Sequence, residues 1–276
     1  MLIKITKCCH LRFYLWAMKF YIGYQTQLHY LFFSALFAIS LLFNNPLAAQ
    51  TKPKEINYQT QTWLSLNNTI RLSDKWSAIV DMHMRRNHFA SDPSFYFIRF
   101  GAGYTLNSST SIAAGYGHLW LAPTTPGYTT FADENRIYEQ IQTSAKTGNV
   151  NIINRLRIEQ RWQEKVVKDT STHTNKFTNR FRYTLTVNIP LSKKPHVPSL
   201  LISDEINLQV GKEVVYNTFD QNRAFVGIKE TINPHLSFDL GYMMVFQEKA
   251  NGYQYDFNNT YRCFFYYTPD IRKKKS

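Results

Sequence analysis

The chain has 276 residues, with 32 Lys+Arg against 19 Asp+Glu for a formal net charge of +13, a hydrophobic content of 44% and an aromatic content of 16%. Its pI near 9.6 would suggest nucleic acid in a cytosolic protein, but the N-terminus reads as an export signal and excludes that partner. Three cysteines, two of them inside the signal, exclude an internal disulfide framework and a thiolate metal cluster in what remains, where Cys263 stands alone.

Leu28 to Phe43 is mostly apolar and follows Lys4, Lys7, Arg12 and Lys19. Asn44-Asn45-Pro46-Leu47-Ala48-Ala49 comes next. This is a basic n-region, an apolar h-region and a small-residue cleavage site, placed after Ala49, so residues 1–49 are expected to be a signal peptide. Met18-Lys19 would open a signal of ordinary length. The competing reading is an uncleaved inner-membrane anchor, but the apolar stretch is short of the roughly 20 residues that a spanning helix needs. Removing residues 1–49 takes away four of the 32 basic residues and no acidic ones, which leaves net +9.

No later stretch is apolar for long enough to span as a helix, so any crossing must be made by strands. Eleven alternating segments follow in chain order: roughly 61–72, 75–87, 94–106, 110–121, 134–147, 150–163, 176–189, 199–211, 221–232, 236–247 and 254–267. In Leu236 to Gln247, Leu236, Phe238, Leu240, Tyr242, Met244 and Phe246 share one side. Ser237, Asp239, Gly241 and Gln247 share the other, with Met243 and Val245 as exceptions. A period of two gives a strand one apolar and one polar face. Short turns at Ser73-Asp74, Asn107 to Ser109, Gly148-Asn149 and Asn233-Pro234 alternate with longer connections. Leu121–Asp133 and Gln163–Asn175 are the longest of these, and Pro190–Pro198 is long for its side. Short periplasmic turns and long outer loops are the pattern of bacterial outer-membrane barrels.

The expected fold is therefore all-β, an antiparallel up-and-down transmembrane β-barrel over residues 50–267, with a basic C-terminal tail at 268–276. Single-chain bacterial barrels normally have an even strand number. Twelve strands are expected, the twelfth lying in Glu55 to Thr62 or within the first segment, with ten as the alternative. A soluble β-sandwich would show the same alternation with its apolar faces packed together. The long segments, and Trp76, Trp120, Trp162, Tyr266 and Tyr267 near segment ends, favour a membrane barrel with aromatic girdles.

Arg155, Arg157, Glu159 and Arg161 share one side of their segment, opposite Ile152, Leu156, Ile158 and Trp162. Arg180 and Arg182 share a side with Thr184, Thr186 and Asn188, opposite Phe181, Tyr183, Leu185, Val187 and Ile189. A lipid-facing arginine costs a few kcal/mol near the midplane, so the arginines are expected to line the lumen. They would form either an anion-selective path or ligand site, or an Arg–Glu ladder with Glu159, Glu139 and Glu205 that fills a small barrel; the ladder is favoured.

Ser77, Asp81 and His83 are the only candidates for an acyl-hydrolase site, and ordinary lumen-filling polar residues explain them better, since no nucleophile elbow accompanies them. His88, His118, His173, His196 and His235 lack metal-ligand spacing. Gly101, Gly103, Gly115 and Gly117 read as strand curvature rather than a phosphate loop. No metal or cofactor is expected.

Asn154-Arg155-Leu156-Arg157-Ile158-Glu159-Gln160-Arg161-Trp162, Asn179-Arg180-Phe181-Arg182-Tyr183 leading to Ile189-Pro190-Leu191, Gln61-Thr62-Trp63 and Phe219-Asp220-Gln221-Asn222-Arg223 together resemble the domain of unknown function 2490 family. The resemblance covers most of residues 55–267. It implies an outer-membrane barrel of Bacteroidetes-type bacteria and lends no catalytic residues. The expected function is a non-enzymatic outer-membrane barrel with a structural or narrow-channel, porin-like role. A membrane-embedded lipid hydrolase, and a surface receptor or adhesin acting through the outer loops, are the alternatives. Expected partners are outer-membrane lipids, the barrel-assembly machinery and, if the arginines line a path, a small anionic solute.

Overall fold

A computed structural model describes residues 52–192, 194 and 196–272. The expected signal peptide lies outside the described residues. Among the described residues eleven strands run β1 (Glu55–Arg71), β2 (Trp76–Asn87), β3 (Asp92–Thr105), β4 (Thr110–Leu121), β5 (Ala132–Thr147), β6 (Val150–Val167), β7 (Thr170–Pro190), β8 (Ser199–Val210), β9 (Phe219–Asn233), β10 (Leu236–Glu248) and β11 (Gln254–Tyr267). Each pairs antiparallel with its chain neighbours, and β1 pairs parallel with β11 to close one barrel.

The expected counts of twelve and ten are both corrected to eleven. Glu55 to Thr62 does not form a further strand. It extends β1 in continuous register with β11, from Glu55 opposite Gln254 to Asn68 opposite Tyr267. Parallel strands satisfy their backbone groups as fully as antiparallel ones, so a parallel seam removes both sheet edges without an extra strand. The parity has a consequence. Glu55 lies at the end that carries the β4–β5, β6–β7 and β10–β11 connections, here the upper end, whereas Tyr267 leaves at the opposite, lower end.

A second correction concerns the β6–β7 connection. Gln163–Asn175 is not a loop. Glu164 pairs with Asn175 and Val167 with Thr170, and the chain reverses at Lys168-Asp169, both at positive φ (50° and 61°). Asp tolerates this left-handed region better than most residues, and two such residues suit a tight hairpin turn. The tail is tied as well. The Ile271 amide donates to the Arg71 carbonyl at 3.1 Å and the Arg71 amide to the Pro269 carbonyl at 2.9 Å, so the described part of 268–276 continues alongside β1.

The outer face is apolar. Leu64, Met82, Phe100, Ile137, Leu156, Leu185, Ile202, Val226, Leu240 and Phe265 are all exposed there, which rules out a sandwich with those faces packed together. Polar outer positions occur in pairs on neighbouring strands. The Tyr183 hydroxyl donates to Asn154 at 2.7 Å, that of Tyr242 to Asn259 at 2.5 Å, and that of Tyr116 to Asn135. Glu139 belongs to this face. It is exposed between Ile137 and Ile141 and accepts from Gln160 at 3.2 Å, so the expected place for it in an inner ladder is corrected by the period of two. Tyr266 is corrected the other way. Tyr267 is exposed outside, so its neighbour Tyr266 must point in, where its hydroxyl donates to Asp239 at 2.6 Å.

Met243 and Val245, the exceptions to the alternation of β10, are inner residues. They pack with Trp63, Leu201 and Phe225 into an apolar cluster inside the barrel. Two strand glycines make room for inner aromatics rather than bulges. A Cβ on Gly117 would sit 2.5 Å from the Phe97 ring, and one on Gly101 would strike the Tyr138 side chain.

Candidate functional site

Inner positions of β2, β3, β5–β9 and β11 converge on a polar interior that encloses a cavity of about 2110 Å³. Arg155, Arg157, Arg161, Arg180 and Arg182 line it; Glu159 lies behind them and is 3% exposed. Glu159 accepts from Arg182 at 2.6 Å, with Arg136 at 3.6 Å and Arg157 at 3.8 Å. Glu205 gathers Arg155 (2.9 Å), Arg182 (2.9 Å) and Arg223 (2.7 Å), and the Thr184 hydroxyl donates to it at 2.8 Å. Glu134, fully buried, takes Arg161 through Nε at 2.7 Å and Nη2 at 2.9 Å and also contacts Arg136. Asp220 pairs with Arg180 at 2.8 Å.

Arg182 bridges Glu159 and Glu205, so these contacts join β5 through β9 into one network. A fork of N–H donors can serve two carboxylates at once, which a lysine cannot do in a fixed plane. Aromatic faces carry the network across the interior. Tyr138 on β5 lies between Arg99 of β3 and Arg157 of β6, each 5.0 Å from the ring centre. Trp63 on β1 lies between Arg85 of β2, at 3.2 Å, and Arg223 of β9, at 5.1 Å. Buried cation–π contacts of this kind are each worth roughly 2 kcal/mol.

The three hydrolase candidates do not assemble. Asp81 is held by Arg99 through Nε at 2.8 Å and by the Asn68 amide at 3.2 Å. The His83 ring packs against Phe97 and Phe264 at 5.1 and 6.0 Å, and among the described residues its Nε2 has no hydrogen-bond partner. Ser77 sits opposite Gly103 on β3, four residues from Asp81's partner Arg99, and among the described residues shares no hydrogen bond with either candidate. Among the described residues no three His, Cys, Asp or Glu side chains converge on a metal position.

Sequence reasoning missed Glu134, Arg136 and Tyr138, although they share the inner parity of β5 with Gln140, which accepts from Arg157 at 3.0 Å. It also missed Arg85, Arg99, Arg223 and Arg262. The alternation was available for each of these, but their partners are set by the closure of the barrel.

A closed barrel with an apolar exterior and an arginine–carboxylate interior places the chain among β-barrels whose polar groups are turned inward. Residues 60–256 match the family model described as Protein of unknown function (DUF2490), and the chain belongs to that family. Searches of curated proteins and of solved structures return no match.

Proposed function

We propose that this protein is a non-enzymatic outer-membrane β-barrel whose interior is braced and narrowed by its buried ion-pair network. The supporting observation is the continuity of that network, from Arg161 and Glu134 through Arg136, Glu159, Arg182 and Glu205 to Arg223 and Trp63. The exposed apolar band on closed strands of at least 12 residues exceeds the 9–11 residues that a tilted membrane strand needs, and lipid is the solvent that such a band requires. Asp81, the orienting acid a hydrolase would need, is committed to Arg99.

A narrow anion path is the second reading. The cavity favours it, because its lining runs from Glu55 and Lys249 near the upper rim to Lys229 and Tyr266 in the lower half. Planar-bilayer recording separates the two. Wild-type protein is expected to pass little current. A steady anion-selective current, reduced in preference by Arg155→Gln, would move channel function to first place.

A further inference from the structure

The interior charges do not balance. Among the described residues ten arginines line the cavity against eight buried carboxylates, of which Glu248 accepts from Tyr255 and Asp256 pairs with Lys249, leaving Asp81, Glu134, Glu159, Glu205, Asp220 and Asp239 to the arginines. Nine of the ten lie within ion-pair distance of one or two of those carboxylates. Arg85 is the tenth. Among the described residues no carboxylate lies within ion-pair reach of it, and it is held by stacking alone. Its guanidinium carbon is 3.2 Å from the centre of Trp63 and 4.2 Å from that of Phe95, its two register partners on β1 and β3.

Stacking fixes the plane of a guanidinium and leaves its N–H edge free for a planar or tetrahedral oxyanion. An inward cation with no internal counter-charge is a strong demand for an external anion. Neighbouring inner groups add uncommitted polarity. His83 lies two residues before Arg85 on the same face with its Nε2 unpartnered, and Asn87, two residues after, accepts from Gln61 through Oδ1 at 2.9 Å. All three line the cavity, which continues to the upper-end residues His88, Asp92 and Pro93.

We propose that Arg85, in its Trp63–Phe95 sandwich, anchors a binding site for a small solute bearing a carboxylate or phosphate group, with His83 and Asn87 as flanking polar contacts. The site needs only that solute reach the interior from the upper end. It does not depend on whether current crosses the barrel, so it and the conductance reading can fail separately.

The test is calorimetric titration of the refolded protein in detergent with inorganic phosphate and, separately, succinate, against chloride at equal ionic strength. Saturable binding of phosphate, succinate or both is expected, identifying the solute's acid group. Arg85→Gln should weaken it at least about tenfold, the effect of losing one charge-assisted contact, while Lys212→Gln, on an exposed connection, leaves it unchanged. Arg85→Lys should also weaken it, because the charge remains but the planar fork is lost. Trp63 fluorescence, read in a Trp16→Phe, Trp76→Phe, Trp120→Phe, Trp162→Phe background, follows the same site with Arg85 intact. No saturable binding, an equal response to chloride, or undiminished affinity in Arg85→Gln would overturn the proposal.

Discussion

At the scale of residues, face and partner decide the outcome of a substitution. Leu156 and Leu185 are exposed on the outer face, so Leu156→Arg or Leu185→Arg should destabilise the barrel in lipid by roughly 2–4 kcal/mol if near the midplane. Thr186→Arg, facing the cavity, should be much milder. Thr184, the inner neighbour that alternation alone would offer as the control, is unsuitable, because it is buried and donates to Glu205. Denaturant unfolding in liposomes measures all three, and equal losses would refute the face assignment.

Within the network, Glu205 matters more than any single arginine. Glu205→Ala would leave part-exposed Arg155 and buried Arg223 with no carboxylate and Arg182 with Glu159 alone, and breaking a buried pair costs about 3–5 kcal/mol. Arg157→Ala should be gentler. Its strongest contacts are to Gln140, and Glu159 keeps Arg182 at 2.6 Å. Equal destabilisation by the two, in the same unfolding measurement, would show that the network does not act through Glu205.

At the scale of elements, the β6–β7 hairpin and the β4–β5 connection are latched at the upper end. The Thr130 amide donates to Asp169 at 2.7 Å and the Thr129 amide at 2.9 Å. These bonds, that from the Thr130 amide first, hold the Asp169 carboxyl below its ordinary range. A depressed folded pKa fixes the sign. The latch is fully present above the free carboxyl's pKa of about 3.9, and it is lost as pH falls through the lower folded value. Amide shifts of Thr129 and Thr130 should therefore titrate together below about pH 3.9 and stop titrating in Asp169→Asn. Titration at or above that value would show that the latch is not formed in solution.

At the scale of the whole molecule, an odd strand count sends the two ends of the described barrel to opposite rims. Lys54 belongs to the upper rim and Asp270 to the lower. If the upper end faces outward, a cysteine at Lys54 should react with a membrane-impermeant maleimide on intact cells, whereas one at Asp270 should not, both in a Cys263→Ser background. Labelling of both, or of Asp270 alone, would contradict the closure or the orientation.

The strands and their faces are legible in the amino-acid order, because a period of two is a local property of the extended chain. The eleven segments, the inward set from Arg155 to Arg182 and the outward set from Leu156 to Ile189 could all be read from it. It could not decide what joins β1 to β11. Even barrels are the habit that predicts an even count, whereas the parallel seam depends on contacts such as Glu55 with Gln254. Local turn chemistry likewise predicts a loop between β6 and β7, whereas the hairpin is held by pairs such as Glu164 with Asn175. Tertiary closure alone chose the partners. Alternation sends Arg85 and Arg223 inward, but only the barrel brings both against Trp63, leaving one with Glu205 and the other with no carboxylate. The physical reason is that side-chain direction is fixed by φ and ψ, whereas charge balance is fixed by which strands the closed sheet brings together.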